Sequence, residues 1–216
     1  MPTTLLFDLD GTLIDSSASI LAAMSGALTR EGIDPVVPLD ESLIGPPLRQ
    51  TLSRITDCGD LEVIERLAAH FREVYDTVGY RQTRVYPGVD DSLCTLAASG
   101  SRMFIVTNKR IYPTRLILEM LGWTDLFSGI YTLDSVSPAA ASKGVLIAQL
   151  MREHSILAHD ACLIGDTPED AQAAHDNGLR FVGVSWGYGL FAPDVLRDRP
   201  LLNDGAEIAR LRCMGR

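Results

Sequence analysis

Apolar residues along this chain follow two different periods, which divide it into two kinds of structure. Over residues 16–79 they recur every three to four positions, as at Ile20, Met24 and Leu28, and this spacing is typical of amphipathic helices. Gly32 is placed to end the first helix, and several prolines separate the helices that follow. We expect a small all-helical bundle without strands in this segment.

Beyond residue 88, short apolar runs alternate with helical patterns. The pattern predicts strands at 103–106, 129–132, 161–164 and 180–184, and helices at 112–121, 143–153 and 168–177. Such alternation is typical of a parallel sheet with helices on both faces. The charged end of the chain, from Pro193 onward, is expected to finish at 206–211 in a short helix or strand-helix unit packed on the core.

One more strand is predicted at 4–7, in an apolar run that ends at Asp8. The helical segment offers this strand no partner, so it must join the later sheet. The expected fold class is therefore α/β, with a parallel-sheet core and an all-helical cap inserted after the first strand. We assign residues 1–14 and 86–216 to the core and residues 15–85 to the cap.

Composition limits the classes of partner. The chain has 216 residues, 46% of them hydrophobic, which is enough to bury a full core. Its formal net charge of -9 argues against broad binding to nucleic acid or anionic membranes. The four scattered cysteines indicate neither a zinc site nor a disulfide framework, and we find no signal peptide or membrane helix. We expect a cytoplasmic protein whose partner is a small molecule.

Polar side chains stand at the tips of the predicted strands, where neighbouring parallel strands bring them together. Asp8 and Asp10 follow the first strand, Thr107 follows a second, and Asp166 a third, while Lys143 opens a helix. Phosphoryl transfer needs an in-line nucleophile, cations and orienting donors. Asp8 could attack, Lys143 and a magnesium ion could neutralise charge, and Thr107 could orient the phosphoryl group. Asp10 would protonate the leaving oxygen and then activate water.

Each candidate also has a simpler structural explanation. Residues 8–11 fit a solvated turn, although their spacing does not fit an EF-hand loop. Thr107 could cap the following helix. Asp170 stands three residues after a helix N-cap and fits a capping box, alone or while supporting a metal site. Lys109 could be an ordinary surface lysine.

Together these motifs resemble those of haloacid dehalogenase-like (HAD) hydrolases. The four motifs occur in the family's order, with a cap inserted after the first: Asp8-Leu9-Asp10-Gly11-Thr12, Thr107-Asn108-Lys109, Ser142-Lys143 and Gly165-Asp166-Thr167-Pro168-Glu169-Asp170. The resemblance implies a Rossmann-like core, with Asp8 as nucleophile, Asp10 as acid and base, and Lys143 as a phosphate-binding cation.

The resemblance also implies a substrate site and a metal site. The expected substrate-binding residues in the motifs are Gly11, Thr12, Thr107 and Asn108. The expected cofactor is Mg²⁺, bound by Asp8, Asp166 and the backbone carbonyl of Asp10. Asp170 would bind the metal directly or position its ligands. Alternatively, it would serve only as a helix cap.

Two further segments look like those of phosphoglycolate phosphatases, namely Ile44-Gly45-Pro46-Pro47-Leu48 and Ser185-Trp186-Gly187-Tyr188-Gly189. Arg49 is then the candidate contact for a remote carboxylate or phosphate of the substrate, because arginine makes planar bidentate contacts. A solvated cap arginine is the alternative, and both segments also fit plain turns. Gly144 after Lys143 departs from the Lys-Pro of many members, which weakens the substrate assignment.

Competing activities fit less well. Dehalogenases of the family lack an aspartate at position 10, and phosphonatases need a cap lysine that residues 15–85 do not contain. A sugar phosphomutase, another small-molecule phosphatase acting on pyrophosphate or a nucleotide, and a non-catalytic sensor of phosphorylated metabolites stay as alternatives. We predict a magnesium-dependent phosphatase that hydrolyses a small phosphomonoester through an aspartyl-phosphate, with a phosphoglycolate-like substrate favoured.

Overall fold

The computed structural model describes residues 4–189, 191 and 199–213, and its regular elements follow the predicted β/α alternation. The strands are β1 (Thr4–Phe7), β2 (Ile14–Asp15), β3 (Arg84–Val85), β4 (Arg102–Thr107), β5 (Gly129–Thr132), β6 (Ala161–Gly165), β7 (Arg180–Val184) and β8 (Leu201–Leu202). The α-helices are α1 (Ser17–Glu31), α2 (Leu48–Thr56), α3 (Leu61–Tyr75), α4 (Val89–Ala98), α5 (Ile111–Met120), α6 (Lys143–Glu153) and α7 (Pro168–Asp176). None of the helices within these described ranges is both long and apolar enough to cross a membrane.

Six strands form one parallel sheet in the order β5-β4-β1-β6-β7-β8. The first strand lies at the centre, with Phe7 opposite Ile105 of β4 and Ile164 of β6. The expected α/β fold with a parallel sheet is confirmed, and the first strand joins the later ones as predicted. The tips of β1, β4 and β6 therefore point to the same edge, where polar residues follow each strand.

Both faces of the sheet are covered, which explains why its strands are apolar throughout. Leu5 and Phe7 of β1 face a cluster built mainly by α4 and α5, and Leu6 faces a cluster built by α6 and α7. The alternation follows from the period of two along a strand. The last turns of the described chain, Gly205–Cys213, pack on α4, where Ser92 Oγ donates to Gly205 O at 2.8 Å.

The helices α1, α2 and α3 belong to the cap, and they enclose a cluster of their own around Ala23, Leu52 and Leu67. Gly32 ends α1 in the left-handed conformation (φ 66°), as its position predicts. Two short segments join the cap to the sheet as an antiparallel ribbon of β2 and β3. The cap is thus inserted between the centre strand and the rest of the sheet.

Several elements differ from the sequence prediction. The ribbon strands β2 and β3 were not predicted, and no bounds were predicted for the edge strand β8, because each is only two residues long. The helix α4 was also not predicted, although it is as long as α5 and its buried Val89, Leu93 and Leu96 recur at helical spacing. At the end of the described chain, β8 is followed by a 3₁₀-helix, Gly205–Cys213, that packs on α4, so the strand-helix unit expected there is confirmed. Residues 193–198 of the predicted tail lie outside the described residues.

Two glycines provide a matched test of this packing. Gly88 has a φ of 77°, and an added Cβ would lie 2.6 Å from Ala206 N, whereas Gly26 lies in α1 with nothing within 4 Å of an added Cβ. We expect Gly88→Ala to lower the free energy of unfolding by about 2 kcal/mol, because alanine is strained in the left-handed conformation. The overlap of its Cβ with Ala206 acts in the same direction. Gly26→Ala should raise the free energy of unfolding by about 0.5–1 kcal/mol. Urea unfolding measures both, and equal effects would contradict the left-handed backbone and the close approach to Ala206 described for Gly88.

Candidate active site

The site is centred on Asp8, the residue after β1, and Lys143, the first residue of α6. Lys143 Nζ donates to Asp8 Oδ1 at 2.9 Å and to Asp170 Oδ1 at 2.5 Å. All three side chains are buried. Ser142 caps α6 by accepting from Val145 N, so the cation extends from a helix start that is fixed on the core.

Three buried carboxylates crowd around this one lysine. Asp8, Asp166 and Asp170 each offer an oxygen within 4.8 Å of the others. Burial, reinforced by the charge of Asp170, raises the pKa of Asp8 to about 8 against the opposing pull of Lys143. Burial and Asp170 likewise raise the pKa of Asp166 to about 6. Ionising all three carboxyl groups would give the cluster more negative charge than one ammonium balances, and carboxylate oxygens are the donors that hard divalent cations prefer.

The ammonium of Lys143 remains charged in this setting. Burial alone would lower the pKa of Lys143, but the charges of Asp170 and Asp8 outweigh it and the pKa is raised. A permanent cation beside Asp8 suits a site that receives an anion.

Asp166 is held from three sides. Thr12 Oγ1 donates to its Oδ1 at 3.2 Å, and the backbone N–H of Tyr188 donates to its Oδ2 at 2.8 Å, with Gly189 N at 3.3 Å. A Cβ at Gly187 would overlap the Asp166 side chain, so the loop can approach only as glycine. The loop at 185–189 is thus a cradle for this carboxylate.

Asp170 caps α7, as predicted, and also binds Lys143. Its Oδ2 accepts from Thr167 N at 3.1 Å and Thr167 Oγ1 at 2.6 Å, while Thr167 Oγ1 accepts from Asp170 N, completing a capping box for α7. Its other oxygen holds Lys143. A Cβ at Gly165 would lie 2.6 Å from Asp170 Cβ, so this approach also requires glycine.

Asp10 is bound by Lys109, for which the sequence alone offered a surface position as the simpler explanation. Lys109 Nζ donates to Asp10 Oδ1 at 3.0 Å and to Oδ2 at 3.1 Å, and Ser16 Oγ donates to Oδ1 at 2.5 Å. The Lys109 side chain is only 6% exposed, so the surface interpretation is wrong. Its position directly after the Thr107-Asn108 pair was the available signal.

A cavity of about 80 Å³ lies between this edge of the sheet and the cap. The core contributes polar residues to its wall, namely Asp8, Asp10, Thr107, Asn108, Lys109 and Arg110. The cap contributes mainly apolar ones, namely Ile20, Met24, Leu43, Ile44, Gly45, Pro46, Leu48, Phe71 and Tyr75. The cavity therefore has a charged floor and an apolar roof.

Three predicted substrate contacts lie elsewhere. Arg49 forms an ion pair with Glu65, its side chain is 63% exposed, and it lines a neighbouring cleft that shares Leu48, Asn108 and Arg110 with the cavity. Gly11 turns the chain with a φ of 85° and adjoins Asp166, and Thr12 stands behind the same carboxylate. The structure brings Asp8, Asp10, Thr107 and Asn108 to the cavity and leaves these three outside its wall.

Comparison with known proteins identifies the family. The model of the haloacid dehalogenase-like hydrolases matches residues 5–184, so the chain belongs to this family. A 5'-nucleotidase of Pseudomonas aeruginosa is 31% identical over 209 residues, covering 96% of this chain and 93% of that protein. A phosphoglycolate phosphatase of Psychrobacter arcticus is 31% identical over 206 residues, covering 91% and 88%.

The solved structures agree with these relatives. The crystal structure of a predicted phosphatase from Clostridium acetobutylicum matches with a TM-score of 0.85 and 26% identity, covering 97% of each chain. The predicted resemblance to HAD-like hydrolases is confirmed, and so is the expectation of an enzyme that hydrolyses phosphoric monoesters.

The buried cation can be tested through stability. Lys143→Met leaves Asp8 and Asp170 without their shared partner, and we expect it to lower the free energy of unfolding by about 3–5 kcal/mol. The control is Arg30→Met, which breaks an ion pair with Glu73 whose two side chains are more than half exposed. That loss should stay within about 1 kcal/mol. Urea unfolding giving small and equal losses would contradict the role assigned to Lys143.

Proposed function

We propose that this chain is a magnesium-dependent phosphatase that hydrolyses a small phosphomonoester through a phosphoaspartate at Asp8. The observation that supports it most is the position of Asp8, at the tip of the centre strand, in the wall of the cavity and 2.9 Å from Lys143 Nζ. A carboxylate beside a permanent cation suits attack on an anionic phosphoryl group.

The reaction then has two displacements at phosphorus. An oxygen of Asp8 attacks phosphorus while the bond to the leaving oxygen breaks, and Asp10 gives that oxygen its proton. Asp10 next takes a proton from water as the water attacks phosphorus, the bond to Asp8 breaks, and orthophosphate is released. Lys143 and the Thr107 hydroxyl bind the phosphoryl oxygens throughout.

Mg²⁺ would be held by Asp8, Asp166 and the backbone carbonyl of Asp10. When bound, the ion neutralises charge on the phosphoryl group and on the crowded carboxylates. We assign Asp170 to positioning Lys143 rather than to the metal, because its Oδ1 lies 2.5 Å from the ammonium and its Oδ2 closes the capping box of α7.

The cap, residues 15–85, would close over the substrate and exclude water during the chemistry. Its apolar wall, with Met24 and Phe71, suits that task. Cys58, Cys94 and Cys162 are free thiols, which suits a reducing, cytoplasmic setting.

Two substrate classes follow from the cavity. Its small volume favours a compact ester such as phosphoglycolate, the class named for the relative in Psychrobacter arcticus. The apolar roof favours a nucleoside monophosphate, the class named for the relative in Pseudomonas aeruginosa, once the cap has opened. Phosphoglycolate is our first candidate, because more than one relative at about 30% identity is a phosphoglycolate phosphatase, and the nucleotide is the second.

Phosphate release from a panel of phosphomonoesters, with Mg²⁺ or with excess EDTA, tests the proposal. We expect Mg²⁺-dependent release with the largest kcat/KM on phosphoglycolate, and a loss of several orders of magnitude in Asp8→Asn. Asp34→Asn, an exposed aspartate in the cap, is the matched control and should keep full activity.

The outcomes separate the two levels of the proposal. A preference for nucleoside monophosphates would replace the substrate and keep the mechanism. Full activity in Asp8→Asn would contradict the mechanism, and the variant should fold because the amide has the shape of the carboxyl group and its oxygen can still accept from Lys143 Nζ.

The cradle of Asp166 gives a prediction for the metal. Gly187→Ala adds a Cβ that overlaps Asp166, so the carboxylate must shift. We expect the Mg²⁺ concentration for half-maximal activity to rise by about 10- to 100-fold, as when groups that orient a metal ligand are altered. Gly59→Ala is the control, since its added Cβ meets nothing within 4 Å. The same Mg²⁺ dependence in both variants would show that the cradle does not set the metal site.

A further inference from the structure

Three consecutive residues in the loop after β4 each bind the cap. The bonds run from Asn108 Nδ2 to Gly45 O at 2.9 Å, from Lys109 Nζ to Tyr75 Oη at 2.7 Å, and from Arg110 Nη2 to Asp76 Oδ1 at 2.5 Å. The loop directly follows Thr107, and Lys109 N donates to Thr107 Oγ1 at 3.2 Å. One short segment therefore joins the cavity floor, the cap and, through Lys109, Asp10.

We propose that Lys109 is a positioning residue that fixes Asp10 for proton transfer, and that Tyr75 of the cap completes this arrangement when the cap is seated. The inference rests on the proposed function, in which Asp10 is the acid and base. It adds a link between the position of the cap and the proton-transferring carboxylate.

The hydrogen bonds of the ammonium support this role. Lys109 Nζ has three protons and three acceptors, which are the two oxygens of Asp10 and Tyr75 Oη. The ammonium also lies 4.6 Å from the centre of the Tyr75 ring, within range of a cation–π contact. The side chains of Lys109 and Asp10 are 6% and 11% exposed, so water has little access to replace a lost partner.

The cap side of the contact is fixed as well. Tyr75 is the last residue of α3, it is buried, and its ring stacks on Phe71 with centroids 5.2 Å apart. The next residue, Asp76, pairs with Arg110. Two neighbouring residues of the core thus bind two neighbouring residues of the cap. These paired contacts fix the position of the end of α3 against the core.

If the cap moves away, Tyr75 goes with it and the ammonium loses its third acceptor. Lys109 can then turn, and Asp10 loses a fixed partner. Proton transfer is sensitive to this because it requires the carboxyl group within hydrogen-bond reach of the leaving oxygen. A cap that is not seated would leave Asp8 in place but Asp10 poorly aligned.

The decisive variant is Tyr75→Phe, which keeps the stacked ring and removes only the hydroxyl. On the best substrate of the wild type, we expect kcat to fall by about tenfold or more, because positioned acid–base groups contribute about 10²–10⁴-fold. The affinity for inorganic phosphate as a competitive inhibitor should stay unchanged, since Thr107 and Lys143 remain. Tyr131→Phe is the matched control, because it removes a hydroxyl bonded to Glu153 and His154, none of these three residues lines the cavity, and it should leave kcat unchanged.

A double-mutant cycle separates positioning from a general structural effect. Lys109→Met should lower kcat more than Tyr75→Phe does, and adding Tyr75→Phe to it should cause no further loss. Lys109→Arg should restore part of the activity, since it returns a cation to Asp10. Unchanged kcat in Tyr75→Phe, or losses that add in the double variant, would overturn the proposal.

A distance measurement keeps this test apart from the test of the proposed function. Spin labels on Cys58 of the cap and Cys94 of α4, with Cys213 replaced by serine and Cys162 buried, report the cap-to-core distance. We expect Tyr75→Phe to broaden the distance distribution and Tyr131→Phe to leave it unchanged. If Tyr75→Phe broadens the distance distribution but the wild type releases phosphate from no ester, the proposed function is wrong and the Lys109–Tyr75 contact is supported. An unchanged distribution would overturn the contact itself.

Discussion

The arrangement of the candidate site depends on one buried ammonium group, that of Lys143. Burying a charge is costly unless it is paired, and here two carboxylates from distant parts of the chain, Asp8 and Asp170, share it. They meet because β1 and β6 are neighbours in a parallel sheet, whose strand tips lie at one edge. Asp166 joins them, so that three carboxyl groups lie close together beside one ammonium.

Groups that stabilise the fold at this edge also prepare the chemistry. Asp170 caps α7 with one oxygen, as the sequence predicts, and holds Lys143 with the other. The loop at 185–189 orients Asp166, and Tyr188 Oη also donates to Asp15 Oδ1 at the start of the cap. The carboxylate cluster, the start of α7 and the connection to the cap are therefore linked by hydrogen bonds.

The sequence predicts the order of the core strands along the chain, the helical cap and the residues at the strand tips, because each is a local pattern. It does not predict contacts that depend on distant residues. Lys109 binds Asp10, 99 residues away, and Tyr75, 34 residues away, and no periodicity signals either pair. Arg49 next to the Pro-Pro turn suggested a substrate contact, but the packing of α2 on α3 brings it to Glu65. The two-residue strands are too short to show a period.

The central claim is that Asp8 carries the phosphoryl group during turnover. The most direct measurement is mass spectrometry of peptides after acid quenching during steady-state turnover of phosphoglycolate, or of the best ester found, with Mg²⁺. The account predicts a phosphoryl group on the peptide that contains Asp8, formed and lost at rates that match kcat, and absent in Asp8→Asn. Rapid turnover in the wild type with no phosphorylated Asp8, or with the label on another residue, would contradict it.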